Sequence, residues 1–327
     1  MTQFDVTGIG NAIVDVLAHA DDAFLEAQGL AKGSMTLIDS ERAQQLYGQM
    51  GAGVEVSGGS AANTLAGLAS LGGQGAFIGK VADDQLGEVF RHDIQAVGTS
   101  FETSPLKNGM PTARCLVLVT PDANRTMNTF LGASVELGPE DLDREAIANS
   151  KVTYMEGYLW DPPKAKQAFI EAAEVAHQAG RKVSLSLSDA FCVDRHRDSF
   201  LELIDGHVDI LFANESEITS LFRTEDFGSA AAAVTGKCEV VALTRSEKGS
   251  VVLTGGETYE VPAVKIDKLV DTTGAGDQYA AGFLYAWCRG MNPASCARLG
   301  GIAAAEVISH FGARPEVELK TLIPADL

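Results

Sequence analysis

The sequence predicts an α/β fold in which a mainly parallel central sheet carries helices on both faces. Short apolar or β-branched runs alternate with longer alanine- and leucine-rich segments of helical period. The length of 327 residues suits one large core with a smaller appendage, and no low-complexity linker, charge run or internal repeat divides the chain. In chain order, strands are predicted at 4–9, 75–81, 152–155, 182–187, 208–212 and 240–244. Between or after them, helices are predicted at 60–71, 85–97, 164–179, 215–222 and 274–287.

Two stretches break this alternation. The segment 33–38, and then 114–120 with 126–131, have strand character but no crossover helix between them. We therefore expect them to pair as a small separate sheet, which we interpret as a lid built from about 12–57 and 100–134. The expected organisation is one large α/β domain over residues 1–327 that carries this lid.

Composition and charge exclude several function classes. The formal net charge of -19 disfavours nonspecific binding to nucleic acid or to an acidic membrane. No apolar run reaches the roughly 20 residues that span a bilayer, and no basic region precedes the first apolar segment, so the expected location is cytoplasmic. The five cysteines form no C-x-x-C pair and the six histidines no H-E-x-x-H pattern, which disfavours a transition-metal site.

The segment 271–277, with the sequence DTTGAGD, is the most informative motif in the chain. Its glycines free backbone N–H groups where the apolar helix candidate 274–287 begins, and a helix N-terminus attracts anions. Asp277 stands beside these donors and could accept the proton of an attacking hydroxyl. This pattern is typical of phosphoryl transfer, although an ordinary turn with a helix-capping aspartate would also explain it.

A second polar group lies in the N-terminal part of the chain. Asn11 and Asp15 follow the first predicted strand, and the segment 58–63, GGSAAN, precedes a strongly helical run. A carboxylate, an amide and exposed glycine N–H groups can bind vicinal hydroxyls, which indicates a sugar or ribose ligand. The structural alternative makes Ser60 a helix cap and Asn63 a local hydrogen-bonding residue.

Together, the GGSAAN and DTTGAGD segments resemble the two signatures of the ribokinase-like, or PfkB, family of carbohydrate and nucleoside kinases. Four further features resemble its adenosine kinase branch more than ribokinase itself. These are Gly10-Asn11 with Asp15, the Gly-Gly-Ser-x-x-Asn form of the first signature, the segment 125–134, and the run 185–188 before Phe191. The similarity extends through nearly the whole chain. It implies an ATP-dependent kinase that phosphorylates an alcohol group.

The resemblance also implies roles for single residues. Asp277 would be the general base, and the N–H groups of Gly274, Ala275 and Gly276 would form the anion hole for the migrating phosphate. The hydroxyls of the acceptor would be held by Asn11, Asp15, Gly58, Gly59 and Asn63, with Arg125 closing over substrate or phosphate from the lid. A solvated hairpin charge is the structural alternative for Arg125.

The same resemblance implies ATP and Mg2+ as cofactors. The residues implied for the nucleotide are Asn214, Thr244, Gly249 and Gly276, and Asn214 and Glu217 would act on Mg2+ largely through water. Asn214 and Glu217 could instead only cap the helix that follows the strand at 208–212. Asp271 and Thr273 match positions that bind a monovalent cation such as K+ in some relatives, and a plain turn explains them equally well.

The acceptor is expected to be adenosine or a related nucleoside, phosphorylated on a primary hydroxyl. A nucleoside base needs an apolar or aromatic wall, and candidates for it are Ile13, Met35, Leu131, Tyr158, Leu159 and Trp160. Ordinary packing is the alternative for each of these residues. Other functions compatible with the sequence are a sugar kinase with a fructose- or ribose-type acceptor and a catalytically idle nucleotide sensor. The protein is expected to act as a monomer or as a homodimer formed through the lid.

Overall fold

The structure is a computed structural model that describes residues 3–122 and 124–327. Its strands are β1 (Phe4–Ile9), β2 (Ile13–His19), β3 (Met35–Leu37), β4 (Gly53–Gly58), β5 (Gly75–Ile78), β6 (Thr99–Phe101), β7 (Ala113–Val119), β8 (Arg125–Phe130), β9 (Ser150–Glu156), β10 (Lys182–Ser186), β11 (Ile210–Asn214), β12 (Val240–Thr244), β13 (Ser250–Thr254) and β14 (Glu257–Val261). Its helices are α1 (Asp22–Ala27), α2 (Ser40–Gln49), α3 (Ser60–Ser70), α4 (Gln85–Ala96), α5 (Arg144–Ala148), α6 (Pro163–Gln178), α7 (Ala190–His207), α8 (Glu215–Leu221), α9 (Phe227–Val234), α10 (Ala275–Trp287) and α11 (Pro293–Val307).

Within these residues, a nine-stranded sheet forms the centre of the fold, in the order β14-β13-β12-β11-β10-β9-β1-β5-β6. Strands β12, β11, β10, β9, β1, β5 and β6 run parallel, and β13 and β14 continue the edge as antiparallel hairpins. The parallel strands read as nearly continuous apolar runs because helices cover both of their faces. The predicted fold class is therefore confirmed, and each of the six predicted strands of this sheet is present.

Two apolar layers sandwich the central sheet. Helices α3, α4, α10 and α11 pack on one face, where the buried residues include Leu65, Phe77 and Phe283. Helices α5, α6, α7, α8 and α9 cover the other face, around Phe169 and Phe200. The sequence did not predict α1, α2, α5, α7, α9 or α11, and of these α11 packs closely against α10, the helix that follows the DTTGAGD segment.

A second sheet, with the order β3-β8-β7-β2-β4, stands apart from the first. It contains the three strands that the sequence singled out, at β3, β7 and β8, and adds β2 and β4, which were not predicted. The chain passes directly from β1 into β2, so the short segment 10–12 joins the two sheets. Residues 99–101, at the start of the second range expected for the lid, instead pair with β5 in the central sheet. The role of the second sheet as a lid remains a prediction.

No helix among residues 3–122 and 124–327 has the length and apolar character needed to cross a membrane.

The aromatic cluster under α4 gives a test of the core. The ring of Phe90 is fully buried, with its centroid 5.6 Å from that of Phe77 and 5.3 Å from that of Phe101. We expect Phe90→Ala to lower the free energy of unfolding by about 3–5 kcal/mol, because it removes apolar contacts and leaves a cavity. Val97, at the end of the same helix, is 38% exposed, so Val97→Ala should change it by less than about 0.5 kcal/mol. Denaturant titration of both variants measures the difference, and equal losses would contradict the prediction.

Candidate active site

The candidate site lies at the edge where the parallel strands of the central sheet end. Strands β9, β10, β11 and β12 terminate there at residues 156, 186, 214 and 244, and the link from β1 to β2 crosses the same edge. Ligands of open α/β sheets bind outside the carboxyl ends of the strands, where polar residues can gather without disrupting the core. Helices α3 and α10 begin beside this edge and pack against each other.

The start of α10 depends on the left-handed conformation of Gly274. This residue caps the helix with φ 79°, and a Cβ atom there would approach the carbonyl oxygen of Ala313 to 2.6 Å. Gly276 differs from it, because a Cβ atom at that position would meet no atom within 4 Å and would project into open space. Glycine at 274 therefore allows the left-handed backbone conformation, whereas the absence of a side chain at 276 leaves room above the first turn of the helix.

The first turn of α10 presents free amide groups to this space. Among the described residues, the N–H groups of Gly274, Gly276 and Asp277 have no hydrogen-bond acceptor. The amide of Ala275 is already engaged, since it donates to the carbonyl oxygen of Thr272 at 3.2 Å. Of the three amides expected to form an anion hole, two are thus available and the third points into the preceding turn, and the amide of Asp277 adds a donor.

Asp277 is held by two donors from α3. Its Oδ1 atom accepts a hydrogen bond from Ser60 Oγ at 2.6 Å, and its Oδ2 atom accepts one from Asn63 Nδ2 at 3.2 Å. Burial raises the pKa of Asp277 to about 6, although these two hydrogen bonds oppose the shift. The pKa of this carboxylate is therefore close to the values that suit a group that accepts a proton at neutral pH.

Glu156, at the end of β9, is a buried carboxylate that the sequence analysis did not select. It accepts hydrogen bonds from the backbone and the side-chain amide of Asn11, and from Ala61 N at 2.8 Å. Burial raises its pKa to about 7 against these donors, and the nearby charge of Asp277 adds to the shift. Asn11 thus orients Glu156, while its own Oδ1 atom has no donor among the described residues. Its expected contact with an acceptor hydroxyl remains a prediction.

Asp15 lies on β2 against the glycines that precede α3. A Cβ atom at Gly58 would come within 2.5 Å of Asp15 Oδ2, and one at Gly59, which has φ 96°, would come within 2.2 Å of the carbonyl oxygen of Asn11. Burial raises the pKa of Asp15 to about 6, and the charges of Arg314 and Arg125 oppose that shift. The structure therefore gathers all the residues that were expected to hold acceptor hydroxyls around one junction.

Arg125 connects the second sheet to the loop before α10. Its guanidinium forms an ion pair with Asp271 Oδ2 at 3.0 Å, and both side chains are largely buried. Asp271 also accepts hydrogen bonds from the backbone and hydroxyl of Thr273 and from Gly312 N. Burial raises the pKa of Asp271, but these bonds and the charge of Arg125 outweigh it and leave the pKa below its usual value. The binding of a monovalent cation by Asp271 and Thr273 remains a prediction.

The residues expected to act on nucleotide and magnesium lie at the ends of β11 and β12. Asn214 Oδ1 accepts from Glu217 N at 2.9 Å, and Glu217 Oε2 accepts from Asn214 N at 2.9 Å, which makes a reciprocal capping box at the start of α8. Glu217 is only 5% exposed, and burial raises its pKa to about 7. Gly249, five residues after Thr244, has φ 87°, and a Cβ atom there would come within 2.1 Å of the carbonyl oxygen of Val261, so the backbone requires glycine. The helix cap that was the structural alternative for Asn214 and Glu217 is thus present. Their action on Mg2+ through water remains a prediction.

Direct metal ligation has little support in the described residues. No group of three or more His, Cys, Asp or Glu side chains among residues 3–122 and 124–327 is arranged to hold a metal ion. A magnesium ion bound with ATP needs few protein ligands, since the phosphates and water supply most of its coordination.

Three residues of the site were not given their observed roles by the sequence. Ser60 was considered only as the helix cap of the structural alternative, but Gly59 takes that position and the Ser60 hydroxyl donates to Asp277. Glu156 carries one detectable signal, an acidic residue at the end of an apolar strand. Arg314 carries none, because it lies in the irregular segment after α11 and reaches Ser57 and Asn63 only through the tertiary fold.

The comparisons with known proteins agree on one family. The model of the family described as pfkB family carbohydrate kinase matches residues 26–320. A crystal structure of adenosine kinase from Sinorhizobium meliloti is 55% identical, with a TM-score of 0.90 over 98% of both chains. A crystal structure of a probable sugar kinase protein from Rhizobium etli is 51% identical, with a TM-score of 0.91 over 98% of both chains. An ATP-dependent ribose-1-phosphate kinase of Halopiger xanaduensis is 31% identical over 70% of this chain and 73% of that protein.

The two glycines at the start of α10 predict opposite responses to a methyl group. Gly274→Ala should lower the free energy of unfolding by about 1–3 kcal/mol, because alanine resists positive φ and its Cβ atom meets the backbone of Ala313. Gly276→Ala should leave stability unchanged or raise it by up to about 1 kcal/mol, since the position is helical and open. Denaturant titration of the two variants measures both effects. A loss at Gly276 as large as that at Gly274 would contradict this account of the turn.

Proposed function

The chain belongs to the pfkB family of carbohydrate kinases, and we propose that it transfers the γ-phosphate of ATP to a primary hydroxyl of adenosine or a related nucleoside. One observation carries the proposal. Asp277 lies at the N-terminus of α10, where the amides of Gly276 and of Asp277 itself have no acceptor among the described residues, and α3 holds its carboxylate from the other side. A base and an anion site thus occupy one place, as in-line phosphoryl transfer requires.

In the proposed reaction, the acceptor hydroxyl lies between Asp15 and Asp277. Asp277 takes the proton of that hydroxyl as the oxygen attacks the γ-phosphorus of ATP, and the bond to the β-phosphate oxygen breaks, which releases ADP. The amides of Gly274, Gly276 and Asp277 stabilise the negative charge on the migrating phosphate. Bound Mg2+ neutralises charge on the phosphates, and Asn214 and Glu217 would hold it through water, because their own oxygens are engaged in the capping box.

The second sheet is proposed to act as the lid of this site. It contributes Asp15 from β2, and the buried ion pair between Arg125 and Asp271 ties its strand β8 to the loop that leads into α10. Such a contact would place the sheet over the acceptor and exclude water. We also propose that the protein acts as a monomer or as a homodimer formed through this sheet.

Two observations favour a nucleoside as the acceptor. The adenosine kinase from Sinorhizobium meliloti resembles this chain over nearly its whole length. Tyr158 is 37% exposed, so its ring is available to contact a nucleoside base. It also lies near the site, since the charges of Asp277 and Glu217 act on its phenol. Leu159 and Trp160 are not available, because they are buried and Trp160 stacks on Phe200 in the core. Of the six candidates for that wall, these two belong to packing.

A panel of acceptors tests the proposal. ADP release from ATP should be measured with adenosine, other nucleosides, fructose, ribose and ribose 1-phosphate, with Asp277→Asn as the matched inactive variant. We expect kcat/KM to be highest for adenosine or a close analogue. Preference for fructose or ribose would replace the nucleoside with a sugar, and ATP binding without transfer to any acceptor would identify a nucleotide sensor.

Asp277→Asn should lower kcat by about 10²- to 10⁴-fold while leaving KM for the acceptor nearly unchanged, because asparagine keeps the shape but cannot take a proton. In the wild type, kcat/KM should fall as the pH drops through about 6, since the base acts only when deprotonated and its pKa is raised to about 6. Steady-state rates between pH 5 and 8 measure both effects. An Asp277→Asn variant that keeps more than about a tenth of the turnover would reject the assignment of the base.

Asp15→Ala should raise KM for the acceptor more than it lowers kcat, because the lost carboxylate binds hydroxyls in the ground and transition states alike. Asp22→Ala is the matched control, as Asp22 is exposed on α1 and pairs with Lys32 at the surface. Initial rates over a range of acceptor concentrations separate the two constants. An unchanged KM in Asp15→Ala would remove this residue from the hydroxyl-binding group.

A further inference from the structure

Arg314 lies at the acceptor side of the site without an assigned role. Its Nε atom donates to Asn63 Oδ1 at 3.2 Å, and its Nη1 atom donates to Ser57 Oγ at 2.8 Å. Burial lowers the pKa of its guanidinium, against the charges of Asp15 and Asp93, and its Nη2 atom has no acceptor among the described residues. Partial burial of a guanidinium that bonds only two neutral side chains costs desolvation free energy, which suggests that Arg314 has a functional role.

The bonds of Arg314 continue to Asp277. Asn63 accepts from Arg314 through Oδ1 and donates to Asp277 Oδ2 through Nδ2. A guanidinium has only donors and an ionised carboxylate only acceptors, so each end of this chain of bonds admits one orientation of the Asn63 amide. If the amide turned over, its oxygen would face the carboxylate and its NH2 group would face the guanidinium, and both bonds would be lost.

The surrounding fold holds this chain of bonds in place. Gln278, the residue after Asp277, is fully buried and donates through Nε2 to the carbonyl oxygens of Asn63 at 3.0 Å and Ala313 at 2.9 Å. One side chain thus ties α3 to the segment that carries Arg314, next to the base itself. The backbone on either side of the contact between Arg314 and Asn63 is therefore held by Gln278, in addition to the hydrogen bond that Arg314 itself makes.

We propose that Arg314 is a positioning residue for phosphoryl transfer, whose guanidinium fixes the Asn63 amide so that it donates to Asp277 and keeps that base in its proton-accepting form. The proposal rests on the proposed role of Asp277 as the base. A proton on Asp277 Oδ2 would need an acceptor at Asn63, and the only oxygen of that side chain is already turned to Arg314.

Other charged groups near Asp277 set the background for this effect. Its carboxylate acts on Tyr154 and Glu156 of β9, on Tyr158 after that strand, and on Glu217 of α8. Around Arg314 the charged groups are Asp15 of β2 and Asp93 of α4, and Arg125 of β8 also acts on Asp15. Arg314 and Arg125 are the cations among these groups, and only Arg314 reaches Asp277 through a continuous chain of hydrogen bonds.

The test compares Arg314→Met with Arg314→Lys. We expect the methionine variant to shift the acidic limb of the kcat/KM profile upward by roughly 0.5 to 1 pH unit, since one donor to the carboxylate is weakened. Lysine keeps a charge and a donor, so it should restore part of the shift. Arg298→Met is the matched control, because Arg298 is exposed and pairs with Asp326 at the surface. Its profile should equal that of the wild type.

A readout without catalysis separates this inference from the proposed function. The carboxyl carbons of 13C-labelled aspartate can be titrated by NMR, and Asp277→Asn identifies the resonance of Asp277 by its loss. The same upward shift in Arg314→Met supports the inference even if no acceptor in the panel is phosphorylated. If Arg314→Met does not fold, Arg314→Leu takes its place with the same expectation, because leucine also lacks a donor. An unshifted Asp277 titration, or a lower kcat at every pH with an unmoved acidic limb, would overturn the proposal and leave the kinase function standing.

Discussion

The arrangement of the site depends on one backbone constraint, the left-handed turn at Gly274. Because this residue adopts φ 79° against the carbonyl oxygen of Ala313, α10 begins at Ala275 and directs its first amides outward. The same turn places Asp277 on the first turn of the helix, where its carboxylate faces α3. A side chain at 274 would move both the donors and the base, since they share one short segment of rigid backbone.

The rest of the fold brings partners to that segment. The parallel order of the strands places their carboxyl ends, and with them Glu156 and Asn214, at the edge that α10 faces. The direct passage from β1 into β2 brings Asn11 and Asp15 to the same edge, and β4 returns the chain to the glycines before α3. The second sheet is thus connected to the site through the start of β2 and the end of β4.

The sequence predicted the parts of this site that depend on local backbone chemistry. Gly274, Asp277 and the GGSAAN segment stand out because clustered glycines and polar side chains before an apolar helix mark an N-terminus with free amide groups. It assigned the amides of Gly274, Ala275 and Gly276 to the anion site, whereas the amide of Ala275 donates within the preceding turn. Arg314 was out of reach, because its partners at 57 and 63 are more than 200 positions away and no local pattern connects them. Strand β4 is exposed over most of its length and has no core face that would mark it, whereas β2 alternates buried and part-buried residues over seven positions, a period-two pattern that could have predicted it.

Several acidic groups share the site of a chain that already carries a net charge of -19. Burial raises the pKa values of Glu156 and Glu217 to about 7, each with Asp277 as one of the contributing charges, so these two groups hold protons over part of the neutral range. A raised folded-state pKa means that ionisation of these groups costs stability as the pH rises from about 4.5 to about 7. Burial likewise raises the pKa of Asp277 to about 6, against the hydrogen bonds that Ser60 and Asn63 donate to it. Because the charge of ionised Asp277 raises the pKa values of both neighbours, these carboxyl groups titrate as a coupled set, in which the hydrogen bonds from Ser60 and Asn63 favour the ionised form of the proposed base.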